Sequence, residues 1–147
     1  MKIQPPTSED IPVWLALRQA LWPHGPAAEH VEEMVLYGGG DPEMAVFLAF
    51  DDEGAGCGFA EACLRSHAED CTTRPVGYLE GIFVLPEQRG RGIGRALVTA
   101  VQDWAVACGC REMASDCLHE NVESIEFHKR LGFEVVDTLV HFRRGIV

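Results

Sequence analysis

The sequence predicts a single-domain α/β protein, residues 1–147, with one parallel crossover near its middle. A chain of 147 residues with 47% hydrophobic residues is long enough for one packed core and too short for two. Apolar residues recur at helical spacing in some segments and form compact strand-like runs in others. At the centre, an apolar run is followed by a glycine-rich loop, a helical pattern and another apolar run. Two strands joined through a helix in this way are normally parallel.

The first half of the chain contains two predicted helices followed by two predicted strands. Residues 7–10, Thr-Ser-Glu-Asp, supply a capping hydroxyl and first-turn acids for a helix that should end near Trp22. A second helix is expected over about 28–37, before three consecutive glycines. The apolar strings MAVFLAF and GFAEACLR flank an acidic turn at 51–56, which is typical of two strands joined by a tight turn.

The second half contains the predicted crossover. Residues 76–84, VGYLEGIFV, form a third strand, and its interior Gly81 indicates a bulge or a close approach to the main chain. The following helix should end at Gly109. A strand over REMASDCL and a helix from Asn121 to Gly132 come next. We expect residues 134–144 to form one long or two short strands.

The chain carries a formal net charge of −11, from 23 acidic and 12 basic residues. This charge disfavours nucleic acid and anionic membranes as partners and favours cationic ligands, although solubility alone also explains an acidic surface. No apolar run reaches the roughly 18 residues of a membrane helix, and the first residues lack the apolar core of a signal peptide. We therefore expect a cytoplasmic protein. Its six cysteines should be reduced thiols, and no metal site is expected.

A loop rich in glycine and arginine, QRGRGIG, joins the third strand to the crossover helix. Glycines at the opening of a helix let backbone N–H groups converge on an anion, and the helix dipole adds positive potential. Arginines on the same turn add charge-assisted hydrogen bonds to phosphate. Two common nucleotide-binding patterns fail, because the loop lacks the lysine of one and has Arg95 where the other requires glycine. The loop therefore predicts a phosphate site, with a diphosphate as the expected ligand.

The pattern R-x-x-G-x-G at Arg89, Gly92 and Gly94, directly after FVLP, resembles the coenzyme A pyrophosphate loop of the Gcn5-related N-acetyltransferase superfamily. The resemblance implies a mixed, mostly antiparallel sheet flanked by helices, in which one parallel pair of strands splays apart around acetyl-CoA as co-substrate. It implies no metal. The implied cofactor-binding residues are the main chain of Ile82, Phe83 and Val84, the loop residues Arg89, Gly90, Arg91, Gly92, Ile93, Gly94 and Arg95, and Asn121.

A narrower resemblance extends over nearly the whole chain. The strings ALWP (20–23), YLEGIFVLP (78–86) and GCREMASD (109–116), with the terminal GF and HFRR, resemble aminoglycoside 6′-N-acetyltransferases of the short dimeric branch. This resemblance implies direct transfer of acetyl to the 6′-amine of an aminoglycoside in a ternary complex, antibiotic resistance as the consequence, and a homodimer. It makes the acidic composition a sign of a cationic substrate.

Acetyl transfer to an amine requires that the ammonium loses a proton and that the departing thiolate gains one. Glu80 lies on the third strand, where a period of two places it on one face with Tyr78, Ile82 and Val84. Asp116 lies near the end of the next strand, where parallel units place ligands. The resemblance assigns both acids to the aminoglycoside site, as substrate-binding and catalytic groups.

Four further residues belong to the predicted site. Tyr78 shares the face of Glu80, and Glu120 contributes to a negative rim, although a solvated acid also explains its position. By resemblance Trp22 stacks on a sugar ring, and packing within the core is the alternative. His128 occupies a position where the superfamily often has tyrosine, so it is a candidate acid for the thiolate, with a structural role as the alternative.

Two other functions also fit these residues. The same chemistry on another amine, such as a polyamine, a small metabolite or a protein N-terminus, would suit an acidic site equally well. A non-catalytic module that binds acyl-CoA would need the glycine loop but not the two acids.

Overall fold

The computed structural model describes residues 1–147. The fold is centred on a five-stranded mixed sheet. The strands are β1 (Lys2–Gln4), β2 (Met44–Phe50), β3 (Gly56–Arg65), β4 (Val76–Val84) and β5 (Met113–Ser115). They lie side by side in sequence order, β1 to β4 pairing antiparallel and β4 pairing parallel with β5. The predicted mixed, mostly antiparallel sheet with one parallel pair is confirmed.

Four α-helices accompany the sheet. They are α1 (Ile11–Leu21), α2 (Ala27–Gly38), α3 (Ile93–Ala107) and α4 (Val122–Arg130). A single 3₁₀ turn precedes α1, and there the Asp10 carboxylate accepts hydrogen bonds from the backbone N–H and the hydroxyl of Thr7. After α3, Gly109 has φ = 88°, a left-handed conformation that ends the helix and that glycine adopts without strain.

Residue contacts divide the chain into two compact units, Met1–Asp116 and Cys117–Val147. In the first unit, α1 and α3 pack on opposite faces of the sheet. Phe59 of β3 packs in a cluster with the α1 side chains, whereas a Cβ added to Gly58 would meet Leu97 of α3 at 3.3 Å. The second unit contains α4 and the residues that follow it. Every helix is too short or too polar to cross a membrane.

The core on the α1 face combines large apolar side chains with a buried ion pair. Its apolar members are Trp14, Leu17, Met34, Val46, Leu48 and Phe59. Arg18 is wholly buried and pairs with Glu61 of β3, which also accepts a hydrogen bond from Trp14 Nε1 at 2.9 Å. Burial raises the pKa of Glu61, against the opposing effect of the hydrogen bond and charge of Arg18. The ion pair ties α1 to the centre of the sheet.

A β-bulge lies beside the interior glycine of β4. Glu61 pairs with Gly81 and Ala62 pairs with Leu79, so Glu80 is the extra residue on β4. A Cβ at Gly81 would lie 2.5 Å from Cη2 of Trp22. The bulge and the close approach to the main chain predicted from Gly81 are both present, and the approaching group is a tryptophan of the same chain.

Because of this bulge, the side chains of β4 do not all lie on the face that the sequence predicts. Tyr78 and Glu80 do share a face, because both contact Arg65. Val84 instead lies beside Gly58 on the α3 face, and Ile82, two residues before it, has the same orientation. One extra residue inverts the alternation of side chains beyond it, so the prediction that all four residues share one face was wrong for Ile82 and Val84.

Residues 134–147 form no strand, so the prediction of one or two strands at 134–144 is wrong for this chain. β5 is also shorter than the predicted strand at 111–118. A strand needs a neighbour for its N–H and C=O groups, and β5 has partners only in β4. The large apolar side chains of this segment are exposed: Val135, Val136, Leu139, Val140, Phe142, Ile146 and Val147.

Candidate active site

The parallel strands β4 and β5 separate at the position of the two predicted acids. Their last paired residues are Leu79 and Ser115, and the Ser115 hydroxyl donates to the Leu79 carbonyl oxygen at 3.2 Å. Beyond this pair, β4 continues to Val84 while β5 ends. The predicted splay is therefore present, and Glu80 and Asp116 are the first residues beyond the last pair.

Glu80 and Asp116 are connected through Arg65 and Tyr78. Arg65, the last residue of β3, donates from Nε and Nη2 to Glu80 Oε1 at 2.9 and 2.7 Å. Its guanidinium carbon lies 3.5 Å from the centre of the Tyr78 ring. The Tyr78 hydroxyl in turn donates to Asp116 Oδ2 at 2.5 Å. The structure thus brings together three of the predicted site residues and adds a cation between them.

The same contacts shift the pKa values of three neighbouring side chains, Tyr78, Cys63 and Arg65. Burial, together with the hydrogen bond to Asp116 and the charge of that carboxylate, raises the pKa of Tyr78. Burial and the hydrogen bond to Glu80 raise the pKa of Cys63 to about 11. Burial opposes the charge on Arg65, but the hydrogen bond and charge of Glu80 raise the pKa of its guanidinium. At neutral pH, Tyr78 and Cys63 are therefore protonated hydrogen-bond donors to the two carboxylates.

The glycine loop leads directly from β4 into α3. Gly90 and Gly92 have φ = 78° and 83°, values that favour glycine over any residue with a side chain. Gly92 is the N-cap of α3, no side chain caps this end, and the first turn carries no acid. The first backbone N–H groups of a helix have no partner within the helix, so this end of α3 offers donors and positive potential to an anion.

Arginines surround this loop and also contact the strand before it. Arg89 Nε donates to the Val84 carbonyl oxygen at 2.9 Å, and its guanidinium lies 5.5 Å from the centre of the Phe83 ring. Arg91 Nη1 donates to Gln88 Oε1 at 3.3 Å. Arg89 therefore links the loop to the part of β4 that has separated from β5.

Trp22 lies beside β4 at the end of α1. Its indole packs against Gly81 and meets the Phe59 ring edge-on, with ring centres 6.0 Å apart. The Arg18 guanidinium lies 4.8 Å from the indole centre, and His30 stacks on it at 6.5 Å. Trp22 is only partly buried. Packing therefore covers part of the indole, and the rest is exposed beside Gly81, next to Glu80.

Ile93, Gly94 and Arg95 form the first turn of α3, and three other predicted residues, Asn121, His128 and Glu120, belong to the second unit. The Asn121 side chain caps α4 by accepting a hydrogen bond from the Ser124 N–H at 3.1 Å. His128 Nδ1 lies 2.7 Å from the Ser124 carbonyl oxygen, which requires a proton on Nδ1. The His128 ring also packs edge-on against Phe133. Glu120 is exposed at the turn before the helix.

Arg65 and Cys63 are the site residues that the sequence analysis missed. A weak signal was available, because Arg65 is one of only two basic residues between positions 24 and 80. An isolated arginine in an acidic region suggests an ion pair but does not identify the partner. No group of three or more His, Cys, Asp or Glu side chains is placed to hold a metal ion.

Known proteins resemble this chain over nearly its whole length. The model of the acetyltransferase (GNAT) family matches residues 14–133. An aminoglycoside N(6′)-acetyltransferase type 1 of Stenotrophomonas maltophilia is 42% identical over 142 residues, covering 96% of this chain and 91% of the relative. One of Salmonella typhimurium is 42% identical over 134 residues, covering 89% of this chain and 90% of the relative.

Solved structures agree with these relatives. AAC(6′)-Iy in complex with the bisubstrate analog CoA-S-monomethyl-acetylneamine has a TM-score of 0.90 at 39% identity, covering 98% of this chain and 97% of that one. The apo aminoglycoside 6′-N-acetyltransferase AAC(6′)-IG of Acinetobacter haemolyticus has a TM-score of 0.91 at 34% identity, with full coverage (100%) of both chains. With its splayed parallel strands and the glycine loop at the start of α3, this chain belongs to the GNAT family of acetyltransferases.

Proposed function

We propose that this protein transfers the acetyl group of acetyl-CoA to the 6′-amine of aminoglycosides, by direct attack in a ternary complex, and so confers resistance. The observation that carries the proposal is the pair of carboxylates, Glu80 and Asp116, at the point where β4 and β5 separate. Relatives and solved structures named as aminoglycoside 6′-N-acetyltransferases support the choice of substrate.

The loop and the start of α3 fit the pyrophosphate of coenzyme A. Positive φ angles at Gly90 and Gly92 direct the chain into a helix end with no capping side chain and no acid. Arg89, Arg91 and Arg95 supply cations beside it. We assign the pyrophosphate to residues 89–95, and the pantetheine arm to the main chain of Ile82, Phe83 and Val84. We include Asn121 in the cofactor site from the resemblance alone.

Acetyl-CoA supplies the acetyl thioester, and the protein's task is to present the amine to it in a neutral form. Glu80 and Asp116 attract the ammonium group and receive its proton, directly or through water. Each acid is already ordered by a neighbour, Arg65 for Glu80 and Tyr78 for Asp116. Ordered carboxylates lower the cost of orienting the amine.

Three other residues complete the substrate side. Trp22, beside Gly81, offers the exposed part of its indole to a sugar ring. Tyr78 orients Asp116 through its hydroxyl, and Glu120 adds negative charge that attracts a polycation. A cavity of about 210 Å³ lined by Trp22, Gly25, Glu29, His30 and Glu33 adds two further acids near the indole.

His128 is proposed as the acid that protonates the departing thiolate. Because Nδ1 donates to the Ser124 carbonyl oxygen, the transferable proton must be on Nε2, which requires the imidazolium form. His128→Ala should therefore lower turnover with an aminoglycoside as the substrate. If His128→Ala has the same pH profile as the wild type, the role is excluded.

The test is acetylation of a panel of amines, with acetyl-CoA as donor and the product located by mass spectrometry and NMR. Aminoglycosides with a 6′-amine should be acetylated, and those with a 6′-hydroxyl should not. Spermidine and a lysine peptide test the alternative that another amine is the substrate. Equal acetylation of both aminoglycoside classes would contradict the 6′ assignment.

Variants of the acids test whether they do chemistry. Glu80→Gln and Asp116→Asn preserve shape and remove charge, so each should lower kcat/KM by about 10²–10⁴ if the group acts in proton transfer. Affinity for coenzyme A, measured by calorimetry, should not change. Glu53→Gln, in the exposed turn between β2 and β3, is the matched control. Loss of turnover with intact affinity for coenzyme A would exclude a mere binding module, and unchanged turnover in the first two variants would contradict a chemical role for the acids.

The protein is further proposed to act as a homodimer, with residues 134–147 contacting a second copy. This segment exposes apolar side chains on strand-like sequence that has no partner within the chain. An exposed apolar surface of this kind typically marks an interface.

Light scattering tests the homodimer. The wild type should have twice the mass of the chain, and Val140→Asp combined with Phe142→Asp should yield monomers. Val106→Asp, at an exposed apolar position of α3, is the control and should remain dimeric. A monomeric wild type would contradict the proposal.

We place this single-domain enzyme in the cytoplasm, with neither nucleic acid nor membrane as partner. All six cysteines are free thiols, as is usual for reducing compartments. The net charge of −11 disfavours polyanions. The family model spans residues 14–133 and therefore both compact units, which supports one domain.

A further inference from the structure

Glu80 is held through only one of its two carboxylate oxygens. Oε1 accepts hydrogen bonds from Cys63 Sγ at 3.0 Å and from Nε and Nη2 of Arg65 at 2.9 and 2.7 Å. Oε2 accepts no hydrogen bond from the protein. The side chain is 20% exposed, so the carboxylate is fixed in position and yet accessible. The unbonded oxygen is the one that remains for a ligand.

Asp116 is held in the same manner. Its Oδ2 accepts the hydroxyl hydrogen of Tyr78 at 2.5 Å, and Oδ1 remains for another donor. The Tyr78 ring lies under the Arg65 guanidinium, at 3.5 Å from its central carbon, which is a close cation–π contact. Arg65 therefore contacts Glu80 directly and Asp116 through Tyr78.

We propose that Arg65 is a positioning residue for the amine substrate, which saturates Oε1 of Glu80 and supports Tyr78 so that Glu80 Oε2 and Asp116 Oδ1 receive the ammonium group. This inference rests on the proposed function of the site. One guanidinium beside two carboxylates leaves one net negative charge, which matches the single ammonium group that is to be acetylated.

The chemistry of arginine suits this role better than that of lysine. Its planar guanidinium donates two hydrogen bonds to one oxygen while its face stacks on an aromatic ring, and an ammonium group cannot do both. Cys63 adds a third donor that remains protonated at neutral pH, since its pKa is raised to about 11. Three donors on one oxygen restrict the rotation of the Glu80 side chain, which lowers the entropic cost of orienting the amine.

The test compares Arg65→Gln and Arg65→Lys with Arg74→Gln as the matched control. Arg74 is the other basic residue between positions 24 and 80 and is exposed. Arg65→Gln should lower kcat/KM for the amine by about tenfold or more, as expected when a charged hydrogen bond is removed. Arg65→Lys should recover part of this loss. The KM for acetyl-CoA and the thermal unfolding of all three variants should be close to those of the wild type.

A double-mutant cycle separates positioning from a purely structural role. In a Glu80→Gln background, Arg65→Gln should cause a smaller loss than in the wild type, because the oxygen that Arg65 positions has lost its charge and only the support of Tyr78 is still removed. Additive losses would overturn the proposal. A lower KM for the amine in Arg65→Gln would also overturn it, since Arg65 would then compete with the substrate for Glu80.

The effect of the Arg65 variants is measured with two amines, an aminoglycoside and spermidine. Turnover is measured with acetyl-CoA, and amine binding is measured by calorimetry on the protein saturated with coenzyme A. If the wild type acetylates spermidine alone, the aminoglycoside function fails, and the effect of Arg65 is still measured on spermidine. If the wild type acetylates aminoglycosides and Arg65→Gln does so equally well, only the role of Arg65 fails. If the wild type binds neither amine, both proposals are overturned.

Discussion

Replacing Gly81 with alanine should destabilise the protein and displace Trp22. The added Cβ would lie 2.5 Å from Cη2 and 2.7 Å from Cζ2 of the indole, well inside the ~3.5 Å at which carbon atoms attract each other. The indole has little room to move, because it also contacts Phe59 and Arg18. We expect a loss of about 1–3 kcal/mol in the free energy of unfolding, as for other overpacked positions. For a chain of this size, that corresponds to a fall in Tm of about 3–10 °C.

Urea unfolding followed by tryptophan fluorescence measures this cost. Gly145→Ala is the control, because a Cβ there meets no atom within 4 Å. Trp22→Phe removes the two indole atoms that clash, so Gly81→Ala should cost at least about 1 kcal/mol less in that background. The same variants report on function, since a displaced Trp22 should raise the KM for the aminoglycoside and leave that for acetyl-CoA unchanged. An equal cost in both backgrounds would refute the assignment of the clash to Trp22.

Three further outcomes are expected. Glu61→Gln should destabilise the fold by about 1–3 kcal/mol in urea unfolding, because Arg18 then loses the charge of its buried partner and keeps only the partly exposed Glu33; a loss below about 0.5 kcal/mol would contradict this account. Mass spectrometry after alkylation at pH 8 should find exposed Cys117 labelled well before Cys63, whose raised pKa of about 11 leaves roughly one thiol in a thousand ionised. Labelling of Cys63 should rise about tenfold per pH unit up to that pKa, and rapid labelling at pH 8 would contradict the burial and the hydrogen bond to Glu80 that raise it. Arg91→Gln should weaken coenzyme A binding about five- to tenfold at low salt in calorimetry, with a smaller effect at high salt; equal loss at both salt concentrations would exclude an electrostatic role.

Local patterns predicted most of the elements that position the site. Glycines with positive φ at positions 90 and 92 could be expected from the loop, because only a residue without Cβ adopts that conformation freely. The parallel pairing of β4 and β5 followed from the helix between them. The interior Gly81 indicated both the bulge and the close approach, although not that the approaching group is Trp22.

Other features depend on residues that are distant in the sequence. Strand periodicity predicted that Ile82 and Val84 share a face with Glu80, but the bulge turns both side chains to the other face. The position of the bulge depends on how β4 pairs with Glu61 of β3, which the sequence of β4 does not specify. The ion pair of Arg65 with Glu80 joins positions 15 apart in the chain, and no periodicity in either strand identifies it. Residues 134–144 have the apolar pattern of a strand but lack a neighbour in this chain.

Contiguous residues were enough to predict the glycine-rich loop and the parallel crossover, and by resemblance they indicated the family and the candidate acids Glu80 and Asp116. Three contacts could be seen only in the folded chain: Arg65 holds one oxygen of Glu80, Tyr78 holds one oxygen of Asp116, and Trp22 packs on Gly81. These contacts arise where three strands and a helix end meet, and side-chain hydrogen bonds and packing at such a junction depend on register and distance rather than on local preference.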